Sequence, residues 1–123
     1  MNLNVLMTIM STVALLVGSF ALARPVQLLT SKGASVTPAA VIWTREVGVL
    51  ILAQGITCLL LRNEPLSRAV RAFLVGGAVT QFGLLPIEIG AYRRGALTKL
   101  SGIVPNSVLH AVLGCALLHR ALS

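Results

Sequence analysis

The chain has 123 residues, of which 56% are hydrophobic and only 11% are charged, and its formal net charge is +7. A soluble domain of this size needs far more polar surface, so the composition excludes an ordinary water-soluble globular protein. Most of the basic residues stand at the ends of apolar stretches instead of in a patch with aromatic side chains. This pattern argues against nucleic acid as a partner and favours contact with lipid headgroups.

Four mostly apolar stretches follow one another along the chain, each with the ~20 residues that an α-helix needs to cross a bilayer. We predict spanning helices at residues 3–23, 38–61, 69–92 and 105–122. Lipid offers the backbone no hydrogen-bond partner, and none of these stretches shows the alternation of a β-barrel strand. The sequence therefore predicts an all-α integral membrane protein, a four-helix bundle in a single domain.

The first stretch ends in Ala21-Leu22-Ala23, which resembles a signal-peptidase site. No basic residue precedes the stretch, however, and it is long for the apolar part of a signal peptide. We therefore expect it to remain as the first span of a multi-pass membrane protein. The basic residues are divided almost equally between the two sides, so the orientation stays open.

Glycines recur every seven residues in the two middle spans. Gly48 and Gly55 have this spacing in the second span, and Gly76, Gly83 and Gly90 have it in the third. Seven residues make about two helical turns, so each set lies along one face. We expect these faces to let the helices approach closely, as small residues do in membranes; the alternative is that they leave room for a ligand.

Polar and ionisable side chains inside the spans are costly and by default mark function. They occur at six positions: Arg45, Glu46, Gln81, Glu88, Asn106 and His110. We call the membrane face that holds loops 24–37 and 93–104 the B face, and the opposite one the A face. At 1.5 Å per residue, Glu46, Glu88 and His110 lie roughly 12, 7 and 7 Å below the B face. Three spans are therefore expected to bring ionisable groups to similar depth.

The spacing within each span also brings these groups together. Gln81 and Glu88 are seven residues apart, and Tyr92 follows one turn later on the same face. Asn106 and His110 are four residues apart and share a face of the fourth span. We therefore expect one polar cluster near the B face.

This cluster has two interpretations. In the structural one, Arg45 or His110 neutralises a glutamate, and the resulting network fixes the packing of the helices. In the functional one, Glu46 and Glu88 are an acid and a base in a half-buried pocket. Two carboxylates in different environments differ in their affinity for a proton, so one can be protonated while the other is ionised. His110 is then a proton shuttle. The other members position the substrate: Arg45, Gln81, Tyr92 and Asn106.

No metal or cofactor is expected. Cys58 and Cys115 lie in different spans and form no CxxC pair. His110 and the two glutamates lack the spacing of a metal motif, and His119 faces away from His110. No serine triad, phosphate loop or dinucleotide motif is present.

The stretch Arg-Glu-Val-Gly-Val-Leu at residues 45–50, followed by Gly55 and Arg62, resembles the DoxX-like group of small bacterial membrane proteins. The glycine-rich third span and the Asn106 and His110 pair fit the same group. The resemblance implies a location in the bacterial cytoplasmic membrane and covers quinone-linked oxidoreductase subunits and many proteins of unknown role. Membrane sterol isomerases have a similar four- to five-helix plan.

The leading hypothesis is a small membrane enzyme that performs proton transfer on a lipophilic small molecule without a cofactor. Isomerisation, cyclisation or epoxide opening suits such an acid–base pair. One alternative is a non-catalytic subunit or assembly factor of a larger membrane complex, or a quinone-binding protein. A third is a transporter protomer, which needs a homo-oligomer to line a pore.

Overall fold

The computed structural model describes residues 2–123, and over that range the chain forms five α-helices and no strands. They are α1 (Leu3–Ala23), α2 (Pro25–Ser31), α3 (Pro38–Leu61), α4 (Arg68–Arg93) and α5 (Leu100–Leu122). Of the described helices, α1, α3, α4 and α5 are long and apolar enough to cross a membrane. The prediction of an all-α, multi-pass membrane protein built as a four-helix bundle is confirmed.

Local sequence signals fix the ends of the helices. A short polar side chain before α1, α3 and α4 accepts a hydrogen bond from a backbone N–H in the first turn: Asn2, Thr37 and Ser67. Such caps satisfy backbone donors that have no partner within the helix. Gly33 (φ +68°) follows α2 and Gly95 (φ +74°) follows α4, and only glycine adopts this backbone conformation without strain.

The structure differs from the prediction at α5, in loop 24–37 and at the ends of α4. The helix α5 begins at Leu100, five residues before the predicted start at Pro105. Pro105 deprives α5 of only one backbone hydrogen bond, and the added turn buries Ile103 against the bundle. Loop 24–37 also contains the short helix α2, which is too brief to show a hydrophobic period. The helix α4 is one residue longer at each end than predicted.

The spanning helices form two closely packed pairs, α1 with α3 and α4 with α5. Small residues make the first pair possible. A Cβ atom added to Gly18 of α1 would lie 2.9 Å from the carbonyl oxygen of Gly48, and one added to Gly55 would lie 3.0 Å from the Cβ of Ala14. Gly48 and Gly55 therefore lie at a close helix–helix contact, as predicted.

The prediction for the glycines of α4 is wrong. Apart from the adjacent residues and the local backbone of α4, no described atom lies within 4 Å of a Cβ added to Gly76 or Gly83, and one added to Gly90 would meet only the side chain of Arg94. The glycine that α4 buries against α5 is Gly77, whose Cβ would lie 3.2 Å from Leu117. One residue corresponds to a rotation of about 100° around the helix, which turns the predicted face away from α5.

The apolar core occupies the half of the bundle nearest the A face. Its buried members come from all four spanning helices: Leu3, Leu6, Met7, Met10, Cys58, Val70, Leu74, Ala78, Leu113, Leu117 and Ala121. The half nearest the B face holds the polar side chains and the cavities described below. The core therefore anchors the bundle at one end and leaves the other end for a site.

Candidate functional site

The centre of the site is the carboxylate of Glu88 on α4, which is only 8% exposed. Lys32, at the end of α2, donates to Oε1 of Glu88 and forms an ion pair with it. The Nδ2 atom of Asn106 donates to the same oxygen at 2.8 Å, and Oγ of Ser107 donates to Oε2 at 3.4 Å. Side chains from the end of α2 and from α5 thus satisfy one buried carboxylate of α4, as a buried charge requires.

The hydrogen bonds continue from Asn106 to two further side chains. Nδ2 of Asn106 lies 2.9 Å from Nε2 of His110, and Nδ1 of His110 lies 2.5 Å from Oε1 of Gln81. Gln81 is itself buried. We call the chain Lys32, Glu88, Asn106, His110 and Gln81 the Glu88–His110 network.

The charge of Glu88 sets the direction of every hydrogen bond in this network. A carboxylate only accepts, so Asn106 must turn its amide N–H groups towards it. The second N–H of that amide then donates to Nε2 of His110. Nε2 therefore carries a lone pair and Nδ1 carries the proton, which it donates to Gln81. The network holds a neutral His110 in one tautomer, with Nε2 as its basic atom.

Contacts between the two B-face loops hold Lys32 over Glu88. The backbone N–H groups of Thr98 and Lys99 each donate to the carbonyl of Lys32 at 3.2 Å. The Thr98 hydroxyl donates to the carbonyl of Gly33 at 3.1 Å. These bonds hold the end of α2 against the start of α5. They thereby place Lys32 beside Glu88, although the two residues are far apart in sequence.

A cavity of about 100 Å³ lies beside the network, between α1, α3, α4 and α5. Its walls are mostly apolar, and Gln81, Asn106 and His110 form much of its polar part. A wider cleft of about 570 Å³ lies between α1, α2 and α5 and reaches Lys32. The cavity and the cleft share Val17, Asn106 and Leu109 in their walls. They are therefore adjacent spaces separated by a few side chains.

Among residues 2–123, no three His, Cys, Asp or Glu side chains converge in a way that could hold a metal ion. A comparison of the chain with protein-family models, curated proteins and solved structures found no match.

The network contains four of the seven residues that the sequence analysis assigned to the site. Gln81, Glu88, Asn106 and His110 come together, as their spacing along α4 and α5 required. Tyr92 does not join them: it lies one turn beyond Glu88 and is 38% exposed.

Arg45 and Glu46 lie outside the network, on the exposed surface of α3. The physical reason is the rotation of α3, whose packed face is set by Gly48 and Gly55. Glu46 stands two residues before Gly48, about 200° around the helix, and so points away from the bundle. The structure therefore does not bring Glu46 and Glu88 together as an acid–base pair.

Two residues of the site, Lys32 and Ser107, were not predicted from the sequence. Lys32 lies in loop 24–37, and a lysine near the end of a span usually meets lipid headgroups, so its position alone does not mark it as part of a site. Ser107 shows no distinguishing pattern. Lys32 could have been found by an electrostatic argument. A glutamate buried at the depth of Glu88 needs a positive partner, and the nearest loops carry lysines.

Proposed function

We propose that the protein binds a lipophilic small molecule with an oxygen-bearing head group and transfers a proton on it. The observation that supports this is the position of the Glu88–His110 network, at the polar side of an apolar cavity next to a wide cleft. A buried water needs only roughly 10–15 Å³, so a cavity of about 100 Å³ has room for a small head group. An apolar tail would extend through the cleft between α1 and α5 towards lipid.

In this proposal His110 gives and takes the proton. A substrate C–H or O–H next to Nε2 replaces the hydrogen bond from Asn106 and passes its proton to that atom. The imidazolium that forms keeps its Nδ1–H bond to Gln81 and lies near the carboxylate of Glu88, which stabilises positive charge. Return of the proton to a different atom of the substrate completes an isomerisation, and return to a leaving or opening ring oxygen completes a cyclisation or epoxide opening.

Glu88 and Lys32 act as positioning residues in this scheme. Their ion pair turns the Asn106 amide, and Asn106 in turn selects the tautomer of His110. This arrangement replaces the acid–base pair of Glu46 and Glu88, because Glu46 faces the outside of α3. The resemblance to DoxX-like proteins adds the proposal that the membrane is the bacterial cytoplasmic one.

The proposal predicts exchange with solvent protons that depends on His110. The protein in liposomes is incubated in D₂O with the total lipophilic extract of bacterial cells, and the extract is analysed by mass spectrometry. Proton transfer at carbon leaves deuterium in the product, so at least one compound is expected to gain mass with the wild type. With His110→Gln the labelling should fall at least ~100-fold, the usual contribution of an acid–base group.

His119→Gln is the matched control for this experiment, because His119 is the exposed histidine near the A face. Its variant should label the same compound at the wild-type rate. Equal labelling by the His110 and His119 variants would reject His110 as the proton-transfer group.

A second candidate is a non-catalytic subunit or quinone-binding protein. The observation that favours it is the number of internal hydrogen bonds in the network: the Glu88 carboxylate, the Asn106 amide nitrogen and both ring nitrogens of His110 have partners within the chain. Stoichiometric co-purification with another membrane protein, together with no solvent-exchange activity, would support this candidate over the enzyme.

A further inference from the structure

Two charged side chains lie on the outer surface of α3 inside the membrane. Arg45 and Glu46 are both exposed, and neither forms a hydrogen bond or ion pair with another side chain of residues 2–123. Glu46 is eight residues into α3, which places it roughly 12 Å along the helix. Charged residues at such depth almost always face protein or water, because lipid solvates them poorly. The single chain therefore leaves these two groups in an unfavourable environment.

The surface around Glu46 has the repeat of a helix–helix interface. Among the exposed residues of α3, one stripe through Glu46 has spacings of alternately four and three residues: Ile42, Glu46, Val49, Ala53, Ile56 and Leu60. This is the spacing of the contact positions in a left-handed helix pair. The stripe, which we call the α3 outer stripe, is centred about 130° around the helix from Gly48 and Gly55, which pack against α1.

We propose that the α3 outer stripe binds the same stripe of a second copy of this chain, in a parallel dimer with two-fold symmetry. Two-fold symmetry about an axis along the membrane normal places equivalent residues at equal depth. Arg45 and Glu46 differ in height by only about 1.5 Å, so Arg45 of each copy faces Glu46 of the other at nearly the same level. Two equivalent ion pairs then form across the dimer.

The chemistry of the stripe selects a second copy as its occupant. A two-fold interface requires a surface that complements itself, and an adjacent Arg and Glu next to the axis provide opposite charges to the same pair on the other chain. Glu46 lies on the stripe and Arg45 about 100° to one side, as a contact position and its flank do in a helix pair. The small Ala53 one heptad further along lets the two backbones approach.

Charge exchange tests the proposal. In Arg45→Glu the stripe and its flank together carry two acidic side chains, and in Glu46→Arg they carry two basic ones. Each variant alone should lose the dimer, measured as at least a tenfold drop in energy transfer between labelled chains in lipid vesicles. Mixing the two variants should restore energy transfer to the wild-type level, because each then meets its opposite. The combined Arg45→Glu, Glu46→Arg chain should also dimerise with itself.

Disulfide cross-linking in membranes gives an independent readout that does not change the charges. In a Cys115→Ala background, Ala53→Cys should form a cross-linked dimer on oxidation, because residue 53 lies on the stripe. Val79→Cys on α4, which is 66% exposed, is the matched control and should stay monomeric. Failure of the mixed charge variants to associate, equal cross-linking at residues 53 and 79, or association with a different protein through the stripe would each overturn the proposal.

Discussion

Replacing Lys32 with methionine should lower the free energy of unfolding by up to about 3 kcal/mol, the lower end of the cost of removing one partner from a buried ion pair, because the Lys32–Glu88 pair is only partly buried. The substitution keeps the apolar stem and leaves the Glu88 carboxylate with only Asn106 and Ser107 as partners. The side chain of Glu88 is 10% exposed and that of Lys32 is 24% exposed, so Glu88 has less access to water. The Glu88→Gln variant should therefore lose less stability, because Lys32 can turn towards the membrane surface.

Reversible unfolding in mixed micelles with increasing SDS measures these differences. Lys99→Met is the matched control, because Lys99 is an exposed lysine of the same face and donates only its backbone N–H to Lys32. It should remain within about 0.5 kcal/mol of the wild type. The double variant Lys32→Met, Glu88→Gln should recover part of the loss. If Lys32→Met behaves like Lys99→Met, the ion pair does not stabilise the bundle.

Gly18→Leu should destabilise the protein by about 3 kcal/mol, at the upper end of the usual cost of overpacking. A Cβ atom at Gly18 would lie 2.8 Å from Cγ of Leu52 and 2.9 Å from the carbonyl oxygen of Gly48. The second contact is with backbone, which cannot move aside without separating α1 from α3. The expected result is a lower unfolding midpoint in SDS, with the loss of the α1–α3 contact as its cause.

Gly83→Leu is the control for this substitution, because a Cβ at that position of α4 would meet no described atom within 4 Å beyond the adjacent residues and the local helix backbone. Removing a glycine from a helix interior favours the helix by up to about 1 kcal/mol, so this variant should be neutral or slightly stabilised. Equal losses at positions 18 and 83 would show that the packing of α1 on α3 does not limit stability.

The spanning helices could be predicted from the sequence because few backbone structures can cross a bilayer. Each span must satisfy its own backbone and cover about 30 Å, so hydropathy alone locates it. Proline and capping residues then placed most ends within one residue. The start of α5 was missed because Pro105 is a favourable first residue, whereas the helix tolerates it one turn later.

The contacts within one helix were also predictable, but the contacts between helices were not. The contact between Asn106 and His110 follows from the helical period alone, and so does the common face of Gln81 and Glu88. No local rule of this kind predicts which face of α3 is turned towards α4. The sequence nevertheless contained a signal for it: the face with Gly48 is the one expected to pack, and Glu46 lies about 200° from that face.

The position of Lys32 beside Glu88 could not be predicted from any helical period in the sequence. Its position depends on bonds between two loops that are about 65 residues apart, such as the one from Thr98 to Gly33. The sequence shows a polar loop and a basic residue there, which are typical of any membrane surface. Only the fold brings this lysine to Glu88 and completes the network.

The most direct test of the site is to fill the cavity with a larger side chain and identify which compound the protein no longer binds. Val13 lines the cavity, so Val13→Phe should occupy it without changing the Glu88–His110 network. Wild type, Val13→Phe and the lipid-facing control Val112→Phe are purified in mild detergent, extracted with solvent and analysed by mass spectrometry. We predict an oxygen-bearing lipophilic compound in the wild type and the control that is lost from Val13→Phe. Identical sets of bound compounds in all three proteins would contradict a ligand site in this cavity.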